Sequence, residues 1–170
     1  QHGMLVDRSY DIESLLKVSK FKTSSVLTWC IVAPLIYSGA NANLIKNGRL
    51  LGLNLGISFQ MIDDVLDFRS SSEKDLLLDL KNNQLTFVTM NYLERTNKLK
   101  LYKSGADLSS LVDVHDIRPS LDEVHGEACK YLIKTKELFA EVCDDLSVGK
   151  FNPSKLAISK LIDKLENRLK

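Results

Sequence analysis

Apolar residues recur at three- and four-residue spacing through most of the chain, and no run of strict alternation is long enough to support a strand. The pattern predicts an all-α fold. Helical periodicity runs from Tyr10 to about Ser38 with a break near Phe21 to Ser24. Gly39 followed by Asn41-Ala42-Asn43 reads as one helix stopping and another starting. A long helix is expected from about Asn43 to Phe68, then a polar loop through Ser70-Ser71-Ser72-Glu73-Lys74 and a shorter helix around Leu85 to Leu93. Asn97 to Gly105 reads as a connection. Ser120 and Glu123, directly after Pro119, have capping-box spacing and predict a second long helix from there to about Leu146. Asn152-Pro153 supplies an N-cap and first-turn proline for a terminal helix to Lys170, whose Ile158, Leu161, Ile162, Leu165 and Leu169 share one face. No internal repeat, low-complexity segment or interdomain linker interrupts this pattern, so residues 1–170 read as part of a single helical domain.

Composition narrows the classes of partner. Of 170 residues 44% are hydrophobic and 26% charged, which suits an ordinary globular domain. Lys plus Arg number 23 against 22 Asp plus Glu, so no single-sign field is available to draw the chain to nucleic acid or to an anionic membrane. The longest apolar stretch, Val26 to Tyr37, is too short for a membrane span and contains Pro34; it predicts a buried helix and no integral membrane segment. Three widely spaced cysteines, Cys30, Cys129 and Cys143, suit neither a paired disulfide framework nor a zinc site, and favour a reducing, intracellular compartment, cytoplasmic or mitochondrial.

The chemistry concentrates in Gly56-Ile57-Ser58-Phe59-Gln60-Met61-Ile62-Asp63-Asp64-Val65-Leu66-Asp67-Phe68. On a helix Gln60, Asp63, Asp64 and Asp67 lie three and four residues apart and form a polar stripe, while Phe59, Ile62, Val65 and Leu66 make the remaining surface apolar. Three carboxylates on the one polar stripe of an otherwise apolar helix repel each other and resist desolvation unless cations neutralise them. Hard oxygen ligands select Mg²⁺, which keeps several waters and bridges carboxylates to a phosphate. A diphosphate held through Mg²⁺ is therefore the expected ligand. Gly52 and Gly56 on the approach to the stripe leave room for a chain segment or ligand to come close. Lys22-Thr23, read as the start of the apolar helix, and Lys74, in the loop after the stripe, are candidate phosphate contacts. A lone lysine is ordinarily a solvated one, so these two count only in company with the stripe.

These residues resemble the trans-isoprenyl (polyprenyl) diphosphate synthase family, and within it the long-chain branch that makes quinone side chains. Gly56 to Phe68 is similar to that family's second aspartate-rich motif almost residue for residue, and Lys22-Thr23 falls where the family's Lys-Thr pair falls. Ile117 to Tyr131 resembles the family's penultimate long helix. After the acidic helix the chain keeps Lys74, Asp79, Leu80 and Thr86 of the family pattern. It has Glu73, Leu77, Asn83 and Val88 where Gly, Gly, Gly and Pro are usual.

The resemblance implies a helical bundle of the isoprenoid synthase type, with this chain as its C-terminal half. It implies condensation of an allylic diphosphate with isopentenyl diphosphate to give a longer polyprenyl diphosphate. Asp63, Asp64 and Asp67 would hold Mg²⁺, with Asp63, Asp64 and Lys22 as catalytic residues. Lys22 and Lys74 would bind diphosphate oxygens that Thr23 and Gln60 orient. A homodimer or a heteromeric synthase is the expected assembly. Because the chain shows only the second of the family's two acidic motifs, the 170 residues by themselves are expected to lack turnover. The alternatives are a noncatalytic partner subunit of a heteromeric prenyl synthase and a non-enzymatic helical interaction module whose acidic stripe meets a basic partner.

Overall fold

The computed structural model describes residues 11–69, 77–145 and 153–169. Within them the order is α1 (Ile12–Ser19), a π turn (Lys20–Ser24), α2 (Ser25–Tyr37), α3 (Ala42–Asp67), α4 (Leu78–Lys81), α5 (Phe87–Arg95), α6 (Leu99–Lys103), α7 (Leu108–Leu111), α8 (Arg118–Asp145) and α9 (Pro153–Leu169), with no strand among the described residues. The chain separates into two compact units. One comprises Gln1–Val18 with Asp63–Glu127, the other Ser19–Ile62 with Ala128–Lys170.

In the second of these units the predicted stop and restart around Gly39 is made by local chemistry. Gly39 takes φ +72°, which costs a glycine nothing, and thereby returns its own N–H to Ile36 O at 3.1 Å and the Ala40 N–H to Leu35 O at 3.0 Å. The last carbonyls of α2 are thus satisfied. Asn41 then caps α3, its Oδ1 accepting the Leu44 N–H at 2.8 Å.

The expected break at Phe21 to Ser24 is a π turn inside a continuing helical path, not a helix end. Ser19 and Ser25 flank it with helical dihedrals. The Ser25 hydroxyl donates to Phe21 O at 2.6 Å, the carbonyl its own N–H would take in an α-helix, and the Ser25 N–H bonds Lys20 O instead. A side chain competing for the backbone therefore accounts for the extra residue in the turn.

Beyond the turn, α2 buries Ile31, Val32 and Leu35 but leaves Val26, Trp29 and Ile36 exposed. The expected burial of this helix therefore holds for one face only within its unit. On that face, Gly48, Gly52 and Gly56 form a ridge of small residues at four-residue spacing along α3. A Cβ on Gly52 would lie 2.4 Å from Thr28 Cα, and one on Gly56 would lie 2.4 Å from Ser24 Cα. The room these glycines leave is taken by α2 and the π turn, approaching almost backbone to backbone. Leu51 and Leu55 on α3, Leu132, Leu138 and Val142 on α8, and Ile162 and Leu165 on α9 complete the apolar interior of this unit. A Lys136–Glu166 ion pair at 2.8 Å joins α8 to α9.

The first unit is built on α5, whose Phe87, Val88, Thr89, Met90, Tyr92 and Leu93 are all buried. The Tyr92 hydroxyl accepts the Asp113 N–H at 3.1 Å. Lys98 Nζ reaches Leu111 O at 2.7 Å, and Arg95 Nη2 bonds both the carbonyl and a carboxylate oxygen of Asp116. The chain before α8 is thus pinned at three points. Here the structure departs from the sequence reading twice. The capping box forms at Thr86 and Thr89, so α5 begins at Phe87 and runs to Arg95. The Ser120–Glu123 box does not form: α8 already begins at Arg118, and Ser120 is fully buried in its first turn, its N–H on Ile117 O and its hydroxyl accepting from Arg95 Nε at 3.4 Å. Of the one-turn helices, α6 falls in the stretch read as a connection, while α4 and α7 fall where the pattern predicts no element.

Candidate functional site

The three aspartates at the end of α3 have three different surroundings. Asp63 is exposed. Asp64 is 3% exposed, and its Oδ2 accepts the backbone N–H of Phe87, first residue of α5, at 2.8 Å. Asp67 is half-buried; its Oδ1 accepts the Leu78 N–H at 3.1 Å and its main-chain oxygen the Leu77 N–H at 3.2 Å. The Asp67 Oδ2 is sealed from solvent and has no hydrogen-bond partner among the described residues. The single stripe expected from spacing is therefore split. Asp63 and Asp67, one turn apart, lie about 40° from each other round the axis, while the buried Asp64 lies about 60° beyond Asp67 and about 100° from Asp63. The buried carboxylate is tolerable because it meets a backbone N–H at the positive end of a helix.

No group of three or more His, Cys, Asp or Glu side chains among the described residues is placed to hold one metal ion. That excludes an all-protein cage of three such side chains within this span, but it is compatible with Mg²⁺, which usually takes one or two carboxylates and completes its shell with waters and phosphate oxygens. Asp63 and Asp67 fit that pattern. The sealed Asp67 Oδ2 is the specific observation, since an acceptor kept from water without a donor is destabilising until a proton donor or cation reaches it.

The turn that approaches Asp67 has an unusual backbone. Leu77 adopts φ 60°, ψ 33°, a left-handed conformation that few non-glycine residues take, and this aims the successive N–H groups of Leu77 and Leu78 at Asp67. Asn83 is also left-handed, at φ 53°. Its side chain adds a reason for asparagine there: Oδ1 accepts the Leu108 N–H at 2.9 Å, and Nδ2 donates to Asp107 at 3.2 Å. Both are positions where glycine was expected by resemblance, and both keep the backbone geometry that glycine would supply.

The remaining predicted residues lie in the other unit or outside the described span. Lys22 is exposed and Thr23 half-buried, and both sit in the π turn, so the free N–H groups expected of a helix start are not available to them. Thr23 Oγ1 donates to Gln60 Oε1 at 3.2 Å, which joins two predicted site residues 37 positions apart. Lys74 lies outside the described residues. The sequence reading missed Phe87, Leu77 and Leu78, which act through backbone N–H groups and carry no side-chain signal.

Comparison with known proteins accords with these features. A model of the polyprenyl synthetase family matches residues 3–114. A decaprenyl-diphosphate synthase of Dictyostelium discoideum is 29% identical over 141 residues, covering 78% of this chain and 28% of that protein. A chloroplastic solanesyl-diphosphate synthase 2 of Oryza sativa subsp. japonica is 33% identical over 103 residues, covering 59% and 26% respectively. The chain thus spans between a quarter and a third of the length of these relatives. Among solved structures, heptaprenyl diphosphate synthase from Staphylococcus aureus matches with a TM-score of 0.75 at 24% identity, over 99% of this chain and 56% of that one. The fold is the isoprenoid synthase helical fold of such structures. With the family model matching about two thirds of the chain, the protein belongs to the polyprenyl synthetase family.

Proposed function

We propose that this chain contributes the second acidic motif of a trans-prenyl diphosphate synthase, which joins an allylic diphosphate to isopentenyl diphosphate. The observation that carries the reading is the carboxylate pair at the end of α3: an exposed Asp63, and an Asp67 whose Oδ2 is sealed and unpartnered among the described residues, in a chain of this family. Mg²⁺ is the cofactor this family generally draws on through aspartate-rich motifs. When bound, it supplies the positive charge against which a departing diphosphate is stabilised.

The residues of the chain then take these parts. Asp63 and Asp67 hold the cation. Lys22 and Lys74 meet diphosphate oxygens as point charges, and the hydrogen-bonded Thr23 and Gln60 orient them. Breaking the allylic C–O bond leaves a carbocation that the isopentenyl double bond attacks, and a proton leaves the new chain for the released diphosphate. The assembly is a homodimer or a pairing with a second prenyl synthase chain.

Equilibrium binding of geranyl diphosphate to the 170-residue chain, with Mg²⁺ and with the metal chelated, tests the reading. Binding that needs the metal and weakens at least tenfold in Asp63→Asn is expected. Binding indifferent to both the metal and the substitution would return the acidic helix end to an ordinary surface.

A further inference from the structure

Of the three carboxylates, Asp64 is the one a metal-binding reading places most awkwardly. It is nearly fully buried, whereas Asp63 beside it is exposed. One of its two oxygens is already given to the Phe87 N–H at 2.8 Å, a short, charge-assisted bond. The donor is the first N–H of α5, one of the groups a helix cannot satisfy internally. Another such group, the Thr89 N–H, is taken at 3.2 Å by the Thr86 hydroxyl, and the Thr86 N–H goes to Thr89 Oγ1 at 2.9 Å. Asp64, Thr86 and Thr89 thus close the start of α5 together, within the interior of one unit. Asp67, one turn on, accepts from the start of α4 in the same manner through Oδ1, but keeps Oδ2 without a partner among the described residues.

We propose that Asp64 is a positioning residue and not a cation ligand: its buried carboxylate fastens the start of α5 to the acidic end of α3 and so fixes the helix turn from which Asp63 and Asp67 face a cation. This rests on the preceding reading for the identity of the cation, but its structural half stands on the Asp64–Phe87 bond alone. The division accounts for the lack of a three-carboxylate cluster among the described residues. It also assigns Thr86, at first sight a mere helix cap, to the same fastening.

The test uses the 170-residue chain, Mg²⁺ with inorganic diphosphate as the probe, and two readouts: the thermal midpoint with and without the probe, and the exchange rate of the Phe87 amide. In Asp64→Ala the Phe87 amide should lose at least tenfold in protection and the midpoint should fall by about 5–10 °C. Asp64→Asn, whose amide oxygen still accepts, should restore the protection. The rise in midpoint produced by the probe should persist in Asp64→Asn with its Mg²⁺ dependence within about threefold of the original, and should vanish in Asp63→Asn. An Asp64→Asn chain with a protected Phe87 amide but no response to Mg²⁺ and diphosphate would overturn the proposal and make Asp64 a ligand. Should the unsubstituted chain show no response to the probe, the cation reading of the preceding subsection fails. The Phe87 amide then decides the positioning role by itself, with unchanged exchange in Asp64→Ala overturning it.

Discussion

Adding one methyl group at Gly52 tests the packing of α3 on α2 most sharply. The new Cβ would lie 2.4 Å from Thr28 Cα and 2.8 Å from Thr28 N, both backbone atoms that no rotamer change can move aside. Carbon atoms rest about 3.5–4.0 Å apart, so the two helices must part by roughly 1 Å along the glycine ridge. Overpacking of that kind costs about 1–3 kcal/mol, and the higher helix propensity of alanine returns about 0.5–1 kcal/mol. A net loss of about 1 kcal/mol lowers the midpoint of a chain this size by about 2–4 °C. Gly126 on α8 provides the contrast, since a Cβ there meets nothing within 4 Å. Gly126→Ala should gain the propensity without a clash and raise the midpoint by about 1–4 °C. Thermal unfolding followed by circular dichroism at a helix-sensitive wavelength reads both. If Gly52→Ala proves as stable as the unsubstituted chain, or if the two substitutions shift the midpoint in the same direction, α3 and α2 do not approach as described.

Other outcomes follow from single contacts. At Leu77 the left-handed backbone should rank substitutions by tolerance of positive φ, with Leu77→Gly at least as stable as leucine and Leu77→Val lower by about 1 kcal/mol in denaturant titration. Asn83→Ala removes the acceptor of the Leu108 N–H and the donor to Asp107, so it should cost about 1–2 kcal/mol, and Asn83→Gly should recover only the backbone part. The carboxyl of Asp11 is held below its ordinary range by hydrogen bonds from Ser14, first from its side chain and then from its N–H. This cap on α1 is therefore in place above the usual carboxylate range and is released as pH falls through the lowered value. Protection of the Ser14 amide, its exchange measured against the intrinsic rate at each pH, should fall over that acid window and stay constant across it in Asp11→Asn.

How much of this was legible in the sequence depends on how local the cause is. The all-α class, the stop at Gly39 and the span of α3 follow from periodicity and from the chemistry of one or two residues, and the structure places α3 within a residue of expectation at each end. The short helices α4, α6 and α7, of four or five residues, contain barely one period of the helix repeat, so no pattern could reveal them. The π turn arises because a serine hydroxyl outcompetes a backbone N–H, which spacing alone does not show. Ser120 had the right neighbours for a cap, but Arg95, 25 residues away, claims its hydroxyl. In the candidate site, the residue types were readable and their division of labour was not. The partner of Asp64 is a backbone N–H 23 residues further on, and only the folded chain brings it there.

On the proposed reading a divalent cation, in company with diphosphate, sits at Asp63 and Asp67. Mn²⁺, a paramagnetic stand-in for Mg²⁺, titrated with inorganic diphosphate into isotopically labelled protein, locates that cation by the resonances it broadens. Broadening should centre on residues 63–67 and the turn at Leu77 and Leu78, and should be abolished in the double substitution Asp63→Asn with Asp67→Asn. Broadening centred elsewhere, or the same broadening in the doubly substituted chain, would mean that the cation is not held by these two carboxylates.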